Sequence, residues 1–377
     1  MSRRVISLHE LTEPVHWEVG NSLSSISRTT LTGGVSEGVE LVTLKNPSIE
    51  ISVIPTRGMG LLGGAALGYP LGWQSPVQRP VHPSFVDLSA SNGLGWLTGF
   101  NEFLCRCGIG WNGPPGDDDE GSPVENPLTL HGRIANIPAD NVSLFIDESD
   151  GSVGITGQVR ECGLFGTNLT LEVEYRLPAE EPRFHVRDVI TNDASRPAEV
   201  ELLYHINVGP PFLEDGSVIA VSADAVAPRD PRAAEGIEDW SKCGPPESGF
   251  AEQAYYFNTS RLPTGHAAMV LANRNRDLAV EVAFDPDVLP HGAVWKNTAA
   301  VEDGYVIGLE PATDFPNHRS FERAEGRLKS IAPGEQLVTE LSVSVLASTD
   351  TIQNTIAAAE SLEPVIHRSA GNGFSPS

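Results

Sequence analysis

The sequence predicts an all-β fold, a large antiparallel β-sandwich with few short helices. Over most of the chain, apolar residues alternate with polar ones, which is the period of a half-buried strand. Turns separate these runs, and 37 glycines and 29 prolines supply the residues that turns need. Strands joined by turns form antiparallel sheets, and 377 residues that are 40% hydrophobic can bury a large core between two sheets.

Strand patterns begin near the N-terminus and continue almost to the other end. Residues 39–44 and 49–55 flank the turn "KNPS", and residues 141–147 and 152–161 flank "ESDG", so each pair predicts a β-hairpin. The strands predicted after these hairpins are 167–177, 183–191, 198–209, 267–273, 278–285, 301–310 and 336–347. We also expect a short strand over "LTLHGRI", residues 128–134.

Helix signals are few. The strongest is "TDTIQNTIAAAESLE" at 349–363, with Thr349 or Asp350 as a candidate N-cap. Residues 62–127 are irregular and rich in Gly, Pro and Trp, which predicts loops or short helices around a functional edge. No change of composition marks a boundary. We therefore expect one domain over 1–377, with an N-terminal extension at 1–35 and a frayed tail at 365–377.

Charge and cysteine content exclude several classes of protein. The net charge of −25 repels nucleic acid and anionic membranes. The N-terminus lacks a secretory apolar region and no apolar run is as long as a membrane span, which predicts a cytoplasmic protein. Cys105, Cys107, Cys162 and Cys243 are too few for a disulfide framework, and the C-x-C pair lacks the second pair of a structural zinc site. The acidic run 114–123 lacks the ligand order of a calcium loop.

Two strands carry polar residues opposite an apolar face. In "VELLYHINVG" the apolar face is Val200, Leu202, Tyr204, Ile206 and Val208. His205 and Asn207 project from the other face. In "YVIGLEP" the strand pattern ends at Pro311, and Glu310 lies opposite the apolar face. If His205 and Glu310 meet, they can act as a base–acid pair, because near neutral pH the glutamate can accept a proton and the histidine can carry one. Sequence spacing does not prove that they meet, and a hydrogen-bonded surface histidine is the alternative.

Further candidate binding residues lie on the short strand predicted at 128–134 and in turns and loops. His131 and Arg133 share a face around Gly132, which would let another backbone or a ligand approach closely. Asn101 and Glu102 lie among aromatic residues in "TGFNEFLCRCG". Cations that could converge on a phosphate are Arg57, Arg106, Arg133 and Lys296. For each of these residues, ordinary structural packing is the alternative.

Five stretches carry a family resemblance. They are "VIPTRGMG", "WLTGFNEFLCRCGIGWNGPP", "LHGRIANIPA", "LYHINVGPPFLEDG" and "VIGLEPATDFPNHRSFERAEGRL", in this order between about residues 50 and 335. Together they resemble the aldose 1-epimerase (galactose mutarotase-like) superfamily, and more closely its DUF4432 family. The resemblance covers most of the chain. It implies the large sandwich of that superfamily, with a sugar bound on a concave face.

The resemblance also implies roles for individual residues. The mutarotase motif N-H-x-Y-F-N matches "YHINVG", which makes His205 the general acid, and G-x-x-L-E-T-Q matches "VIGLEPATDFP", which makes Glu310 the general base. His131 in "LHGR" matches the histidine that holds the sugar ring, and Arg133 is a second contact. The neighbours of both motifs differ from the classical ones, which leaves galactose and glucose open as substrates.

These observations favour an enzyme of the aldose 1-epimerase type that acts on a small-molecule sugar without a metal or redox cofactor. Two alternatives stay open: another isomerase, epimerase or lyase that uses the same pair on an unusual sugar, and a carbohydrate-binding protein without catalysis. The sequence does not identify the sugar, its anomer or an acidic substituent. It leaves open whether the protein is a monomer or a homodimer.

Overall fold

The structure is a computed structural model that describes residues 3–19, 22–122 and 124–376. Within this part of the chain, two large β-sheets are joined by loops and short helices. The strands, in chain order, are β1 (Arg3–Ser7), β2 (Val15–Val19), β3 (Ser22–Thr30), β4 (Glu40–Lys45), β5 (Ile49–Ile54), β6 (Gly60–Ala66), β7 (Tyr69–Leu71), β8 (Leu104–Ile109), β9 (Asp140–Asp147), β10 (Val153–Cys162), β11 (Asn168–Leu177), β12 (Arg183–Asn192), β13 (Ala198–Val208), β14 (Val218–Val221), β15 (Ala223–Pro228), β16 (Gln253–Thr259), β17 (Ala267–Ala272), β18 (Ala279–Phe284), β19 (His291–Asn297), β20 (Val306–Ala312), β21 (Lys329–Ile331), β22 (Gln336–Leu346) and β23 (Val365–Ile366).

The helices are short, as the sequence predicts. The α-helices are α1 (Ala90–Gly93), α2 (Pro231–Ala234), α3 (Arg319–Ala324) and α4 (Thr349–Glu360). The 3-10 turns are Leu8–Glu10, Gly34–Ser36, Pro83–Phe85, Gly95–Thr98, Ile134–Asn136, Ile237–Asp239 and Val301–Asp303. The helix α4 confirms the strongest helix signal, but its cap is Ser348, whose side chain accepts a hydrogen bond from the Thr351 amide. No helix in the described ranges is long and apolar enough to cross a bilayer.

The two sheets differ in size. Within the described residues, the first has nine strands in the order β1-β9-β10-β11-β12-β22-β18-β17-β14. The second has fourteen, in the order β2-β3-β4-β5-β6-β8-β13-β20-β19-β16-β15-β23, with β21 beside β13 and β7 beside β6. Central pairs such as β10 with β11 and β13 with β20 are antiparallel. These sheets confirm the predicted all-β class and place β13 beside β20.

The alternation of β13 and β20 separates a core face from an outer face. The core between the sheets contains Val200, Leu202, Tyr204, Ile206, Val208, Ile307 and Leu309 from these two strands. Burial of such a side chain contributes about 1.5–3 kcal/mol, and a slip of one residue would turn the whole apolar face outward. The predicted alternation is therefore confirmed, and His205 and Glu310 lie on the face away from the core.

A buried ion pair crosses the core between the two sheets. Arg106 of β8 donates from Nε to Oδ2 of Asp188 of β12 at 2.5 Å, and from Nη2 to Oδ1 at 2.8 Å. Both side chains are fully buried, and the Tyr204 hydroxyl also donates to Asp188 at 2.7 Å. Arg106 was a candidate for substrate binding, but the structure places its charge inside the sandwich.

The loop that carries His131 differs from the predicted strand at 128–134. His131 and Gly132 have positive φ values, 58° and 71°, which a strand does not contain. A Cβ on Gly132 would lie 2.4 Å from the carbonyl oxygen of Trp111 and 2.5 Å from that of Gly108. Gly132 therefore does admit a close backbone, as the sequence predicts, and that approach bends the chain into a loop.

Two further boundaries differ from the prediction. The strand predicted at 301–310 begins at Val306 and continues through Pro311 to Ala312. Proline is tolerated because the pairing of β13 with β20 skips this position, joining Leu203 to Ala312 and Ile206 to Leu309. The tail, for which the sequence predicts fraying, packs on the protein: β23 pairs with β15, and Phe374 lies 5.3 Å from Phe315 between ring centroids.

Candidate active site

The face of the fourteen-stranded sheet opposite the core carries a cavity of about 540 Å³. Its walls include Trp96, Phe100, His131, His205, Trp295 and Glu310. We call it the His–Glu cavity. A volume of this size lies in the range of small-molecule sites.

His205 and Glu310 meet at this cavity because their strands are neighbours in register. The pairs Ile206 with Leu309 and Leu203 with Ala312 put His205 opposite Glu310. The His205 Nε2 atom lies 3.2 Å from Oε1 of Glu310, and 6% and 5% of the two side chains are exposed. The structure therefore brings together the two residues that the sequence suggested as a pair.

Aromatic rings surround His205. The ring centroid of His205 lies 5.0 Å from that of Phe100, 5.4 Å from that of Trp295 and 6.3 Å from that of Trp96. Behind them, a small apolar cluster contains Leu203, Cys105, Cys107, Ala135 and Ala312. The pair therefore lies in a largely apolar environment, which penalises charge on either partner.

Burial sets the protonation of the pair. Burial, assisted by the charge of Glu252, raises the pKa of Glu310 well above its ordinary value. Burial, with a smaller contribution from His131, lowers the pKa of His205 to about 3. Burial therefore favours the neutral carboxyl and the neutral imidazole over the anionic glutamate and protonated histidine that the sequence predicts, so Glu310 holds a proton shared by the pair more strongly than His205 does.

His131 presents a hydrogen-bond acceptor. Its Nδ1 lies 2.7 Å from the carbonyl oxygen of Asn112, and because a carbonyl oxygen only accepts, Nδ1 must carry the hydrogen. Burial lowers the pKa of His131 to about 4, so Nε2 is an unprotonated acceptor at neutral pH. The imidazole ring lies 5.8 Å from that of His205, between centroids. A ligand hydroxyl in the cavity could donate to this Nε2.

Charged residues in the cavity wall neutralise one another. Arg229 donates to Asp230 at 2.9 Å and to Glu252 at 2.8 Å. The indole N–H of Trp295 donates to the other carboxylate oxygen of Glu252 at 2.5 Å. Trp295, Arg229 and Glu252 are wall residues that were not predicted from the sequence. The alternation of β19 could have revealed Trp295, because Ala293 lies opposite Glu310 and Trp295 follows two residues later on the same face.

Several buried polar atoms of the cavity walls have no hydrogen-bond partner among the described residues. They are Trp96 Nε1, His205 Nδ1, Tyr256 OH, Glu310 Oε1 and His318 Nε2. Buried polar groups are normally paired, so a ring of unpaired donors and acceptors is typical of a site that binds a polar ligand.

Arg57 and Glu102 do not reach the cavity. Nε of Arg57 donates to Oε1 of Glu102 at 2.6 Å, and 1% of each side chain is exposed. Arg57 also donates to the carbonyl oxygen of Val81 and to Asn136. The two residues form a structural ion pair that holds the loop after β5 against the loop before β8.

The remaining predicted binding residues also lie outside the His–Glu cavity. Arg133 pairs with Glu125 at 3.0 Å and with Glu161 at 3.3 Å. Lys296 lies on the face of β19 opposite Trp295 and donates to the carbonyl oxygen of Asp239.

Two predicted asparagines lie near the cavity without lining it. Asn207 is fully buried and donates to the carbonyl oxygen of Glu102 at 2.9 Å. Asn101 lines a neighbouring pocket instead. Thus the four predicted cations do not converge on a phosphate site. No group of three metal-ligating side chains occurs within residues 3–19, 22–122 and 124–376.

The chain is similar to a family and to several solved structures. Residues 36–345 match the family model described as "Domain of unknown function (DUF4432)". A "putative aldose 1-epimerase" from Klebsiella pneumoniae subsp. pneumoniae MGH 78578 is 29% identical, with a TM-score of 0.91 over 97% of this chain and 98% of that one. No curated protein matches the chain.

More distant structures share the fold. A galactose mutarotase-like protein from Clostridium acetobutylicum is 14% identical, with a TM-score of 0.57 over 85% of this chain and 99% of that one. A galactose mutarotase related enzyme from Lactobacillus acidophilus is 11% identical, with a TM-score of 0.55 over 82% of this chain and 98% of that one. At such identities the similarity shows the fold alone.

Proposed function

The chain belongs to the DUF4432 family, and we propose that it is an enzyme of the aldose 1-epimerase type, which interconverts the anomers of an uncharged aldose by acid–base ring opening. The observation that carries this proposal is the 3.2 Å distance between His205 Nε2 and Glu310 Oε1 at the wall of the His–Glu cavity. The similarity to the Klebsiella protein over nearly the whole chain supports the same class of reaction.

The charges around the cavity favour an uncharged sugar. Arg229 is the cation in the wall, and two carboxylates, Asp230 and Glu252, already neutralise it. An acidic sugar would have to compete with both. Aromatic faces from Trp96, Phe100 and Trp295, together with unpaired donors and acceptors, instead suit the apolar faces and hydroxyls of a neutral sugar.

Ring opening needs one base and one acid. Glu310 takes the proton of the C1 hydroxyl while His205 gives a proton to the ring oxygen, so the C1–O5 bond breaks and C1 becomes an aldehyde carbon. Rotation about the C1–C2 bond presents the other face of the carbonyl group. The same two residues then act in reverse, Glu310 returning its proton to O1 and His205 taking that of the O5 hydroxyl, which closes the ring as the other anomer.

Burial also bears on the energetics of this cycle. Because it raises the pKa of Glu310 and lowers that of His205, it disfavours the carboxylate–imidazolium pair from which ring opening starts. Ring opening then returns the pair to protonated Glu310 and neutral His205, the arrangement that burial favours. While the sugar is open, the pair is therefore in the form that burial favours. His131 Nε2 can accept a hydrogen bond from another hydroxyl of the sugar and so hold it in place.

The test is NMR exchange spectroscopy on equilibrated neutral aldoses with catalytic amounts of protein. We expect faster exchange between the α and β anomeric signals of at least one aldose. His205→Asn should reduce this acceleration by about 100- to 10,000-fold, the usual contribution of a positioned proton-transfer group. New constitutional products, instead of exchange, would replace the proposal with an isomerase or lyase. An unchanged rate in His205→Asn would contradict the assigned role.

A further inference from the structure

A second pocket lies on the other side of an aromatic wall from the His–Glu cavity. It has a volume of about 550 Å³ and shares no lining residue with that cavity. Trp73 lines it, and the centroid of its ring lies 5.1 Å from that of Phe100 and 6.4 Å from that of Trp295, which both line the His–Glu cavity. Polar and aromatic residues in its wall are Trp73, Gln74, Ser75, Gln78, Asn101 and Tyr305. We call it the Trp73 pocket.

The lining of the Trp73 pocket is uncharged. No Asp, Glu, Lys, Arg or His lines it within the described residues, although the chain carries a net charge of −25. Gln74 and Gln78 are exposed there, and a side-chain amide offers both donors and an acceptor. Sugar hydroxyls also donate and accept, and the apolar face of a sugar ring can pack on the half-buried ring of Trp73. This combination fits a neutral sugar better than an ion.

Asn101 provides a buried polar group that points to a ligand. It is 7% exposed, and its Nδ2 donates to the carbonyl oxygen of Val77 at 3.0 Å. Its Oδ1 has no hydrogen-bond partner among the residues that the structure describes. A buried amide oxygen without a partner is unfavourable, and a hydroxyl donor bound in the pocket would satisfy it.

The pocket is preformed and connected to the wall of the His–Glu cavity. Ser75 donates from its hydroxyl to the carbonyl oxygen of Phe100 at 2.8 Å and accepts from the Val77 amide at 3.0 Å. The indole N–H of Trp73 donates to the carbonyl oxygen of Glu102 at 3.0 Å. These bonds hold the loop after β7 against the segment that positions Phe100, so little reorganisation is needed before a ligand binds.

We propose that the Trp73 pocket is a second binding site, which takes an uncharged sugar unit and is separate from the site of chemistry. The sugar packs on Trp73, exchanges hydrogen bonds with Gln74 and Gln78, and donates one to Oδ1 of Asn101. This role explains why Asn101, one of the predicted binding residues, lies away from His205 and Glu310.

The test uses methyl glycosides of glucose, galactose and mannose as probes. A methyl group on the anomeric oxygen prevents ring opening, so binding is observed without turnover. Each probe is titrated into the nitrogen-15-labelled full chain while the indole N–H signals are recorded, and Trp73→Phe identifies the signal of Trp73. We expect saturable shifts of that signal with at least one probe. Glucuronate, an acidic sugar, should shift it far less.

Variants separate the two sites. The double variant Gln74→Ala/Gln78→Ala should weaken binding at Trp73 about tenfold, because two hydrogen bonds are lost, and leave shifts of the Trp295 signal unchanged. Gln353→Ala, an exposed glutamine on α4, is the matched control and should bind like the unchanged protein.

Three outcomes would overturn the second site: a Trp73 signal that no neutral glycoside moves, a double variant that binds as tightly as the control, or glucuronate binding as well as the neutral probes. Methyl glycosides cannot change anomer, so their binding does not depend on the proposed activity. If they shift the Trp73 signal but the protein accelerates anomeric exchange of no aldose, the proposed activity is refuted and the second site is not.

Discussion

Replacement of Glu310 with glutamine should remove activity and raise stability in the same variant. Glutamine has nearly the same shape, but its amide group cannot act as an acid or a base near neutral pH. Loss of one positioned acid–base group typically costs about 100- to 10,000-fold in rate, which is about 3–5 kcal/mol in the barrier. We therefore expect Glu310→Gln to retain at most a hundredth of the anomeric exchange rate.

Stability should change in the opposite direction. Burial raises the pKa of Glu310 above its ordinary value of 4.5 in the folded protein, so the folded state holds this proton more tightly than the unfolded chain. As pH rises from 4.5 toward the raised value, the unfolded chain releases the proton first, and stability falls by about 1.4 kcal/mol per pH unit. Glutamine does not titrate. The variant should therefore gain stability relative to the wild type as pH rises through this window, and match it most closely below pH 4.5.

The assay is chemical denaturation at a series of pH values, beside NMR exchange rates on the same samples. Glu360→Gln, at an exposed position on α4, is the control and should change neither quantity. If Glu310→Gln loses stability at every pH, the carboxylate serves the fold and the reasoning from burial is refuted. If it keeps its exchange rate, the proposed base is wrong.

Three further predictions concern the pair, the core and the loop. The pH profile of kcat/KM should fall on the acid side near pH 3, the pKa of His205; a fall near pH 4.5 instead, the ordinary value of a glutamate, would indicate a pair that burial does not perturb. Arg106→Met should lower the free energy of unfolding by about 3–5 kcal/mol, because Asp188 is left as a buried, unpaired charge. Denaturant titration measures this loss. A variant that changes only KM would indicate that Arg106 contacts the substrate instead. Gly132→Ala should lower the free energy of unfolding by about 1–3 kcal/mol in the same titration, because the alanine Cβ has no room and φ at this position is positive. It should also raise KM by displacing His131. An unchanged denaturation midpoint would refute this prediction.

The sequence could predict the strands, and the outer face on which His205 and Glu310 lie, because both depend on short-range alternation. The apolar faces of β13 and β20 are continuous, so their inner and outer sides follow from the period of two residues. Which strands are neighbours does not follow from alternation. The resemblance to a family provided that knowledge for His205 and Glu310, and the register of the two strands confirms that they lie opposite each other.

The same alternation explains which candidates fail to reach the cavity. Cys105 lies opposite His205 across β8 and β13 and belongs to the apolar cluster behind the cavity, so Arg106 beside it must point into the core. Lys296 is excluded from the cavity in the same way, because its neighbour Trp295 lines the cavity and adjacent side chains of a strand lie on opposite faces. Arg57 and Arg133 lie outside the strands. Arg57 pairs with Glu102, 45 residues away, and Arg133 pairs with Glu161, 28 residues away, so their positions depend on the tertiary fold.

The apolar layer that positions the pair also determines its chemistry. Leu203, Cys105, Cys107 and Ala312 bring no charge to His205 or Glu310, and burial raises the pKa of Cys105 and of Cys107, so both thiols stay neutral. No fixed charge directly behind the two groups holds either of them in its charged form, and under the proposed mechanism each group must be able both to gain and to lose a proton. A cation in this layer would stabilise the Glu310 carboxylate and hinder its return to the protonated form. The charge of Arg229 in the wall does lower the pKa of Glu310, but burial is the larger effect, and Asp230 and Glu252 both pair with that arginine.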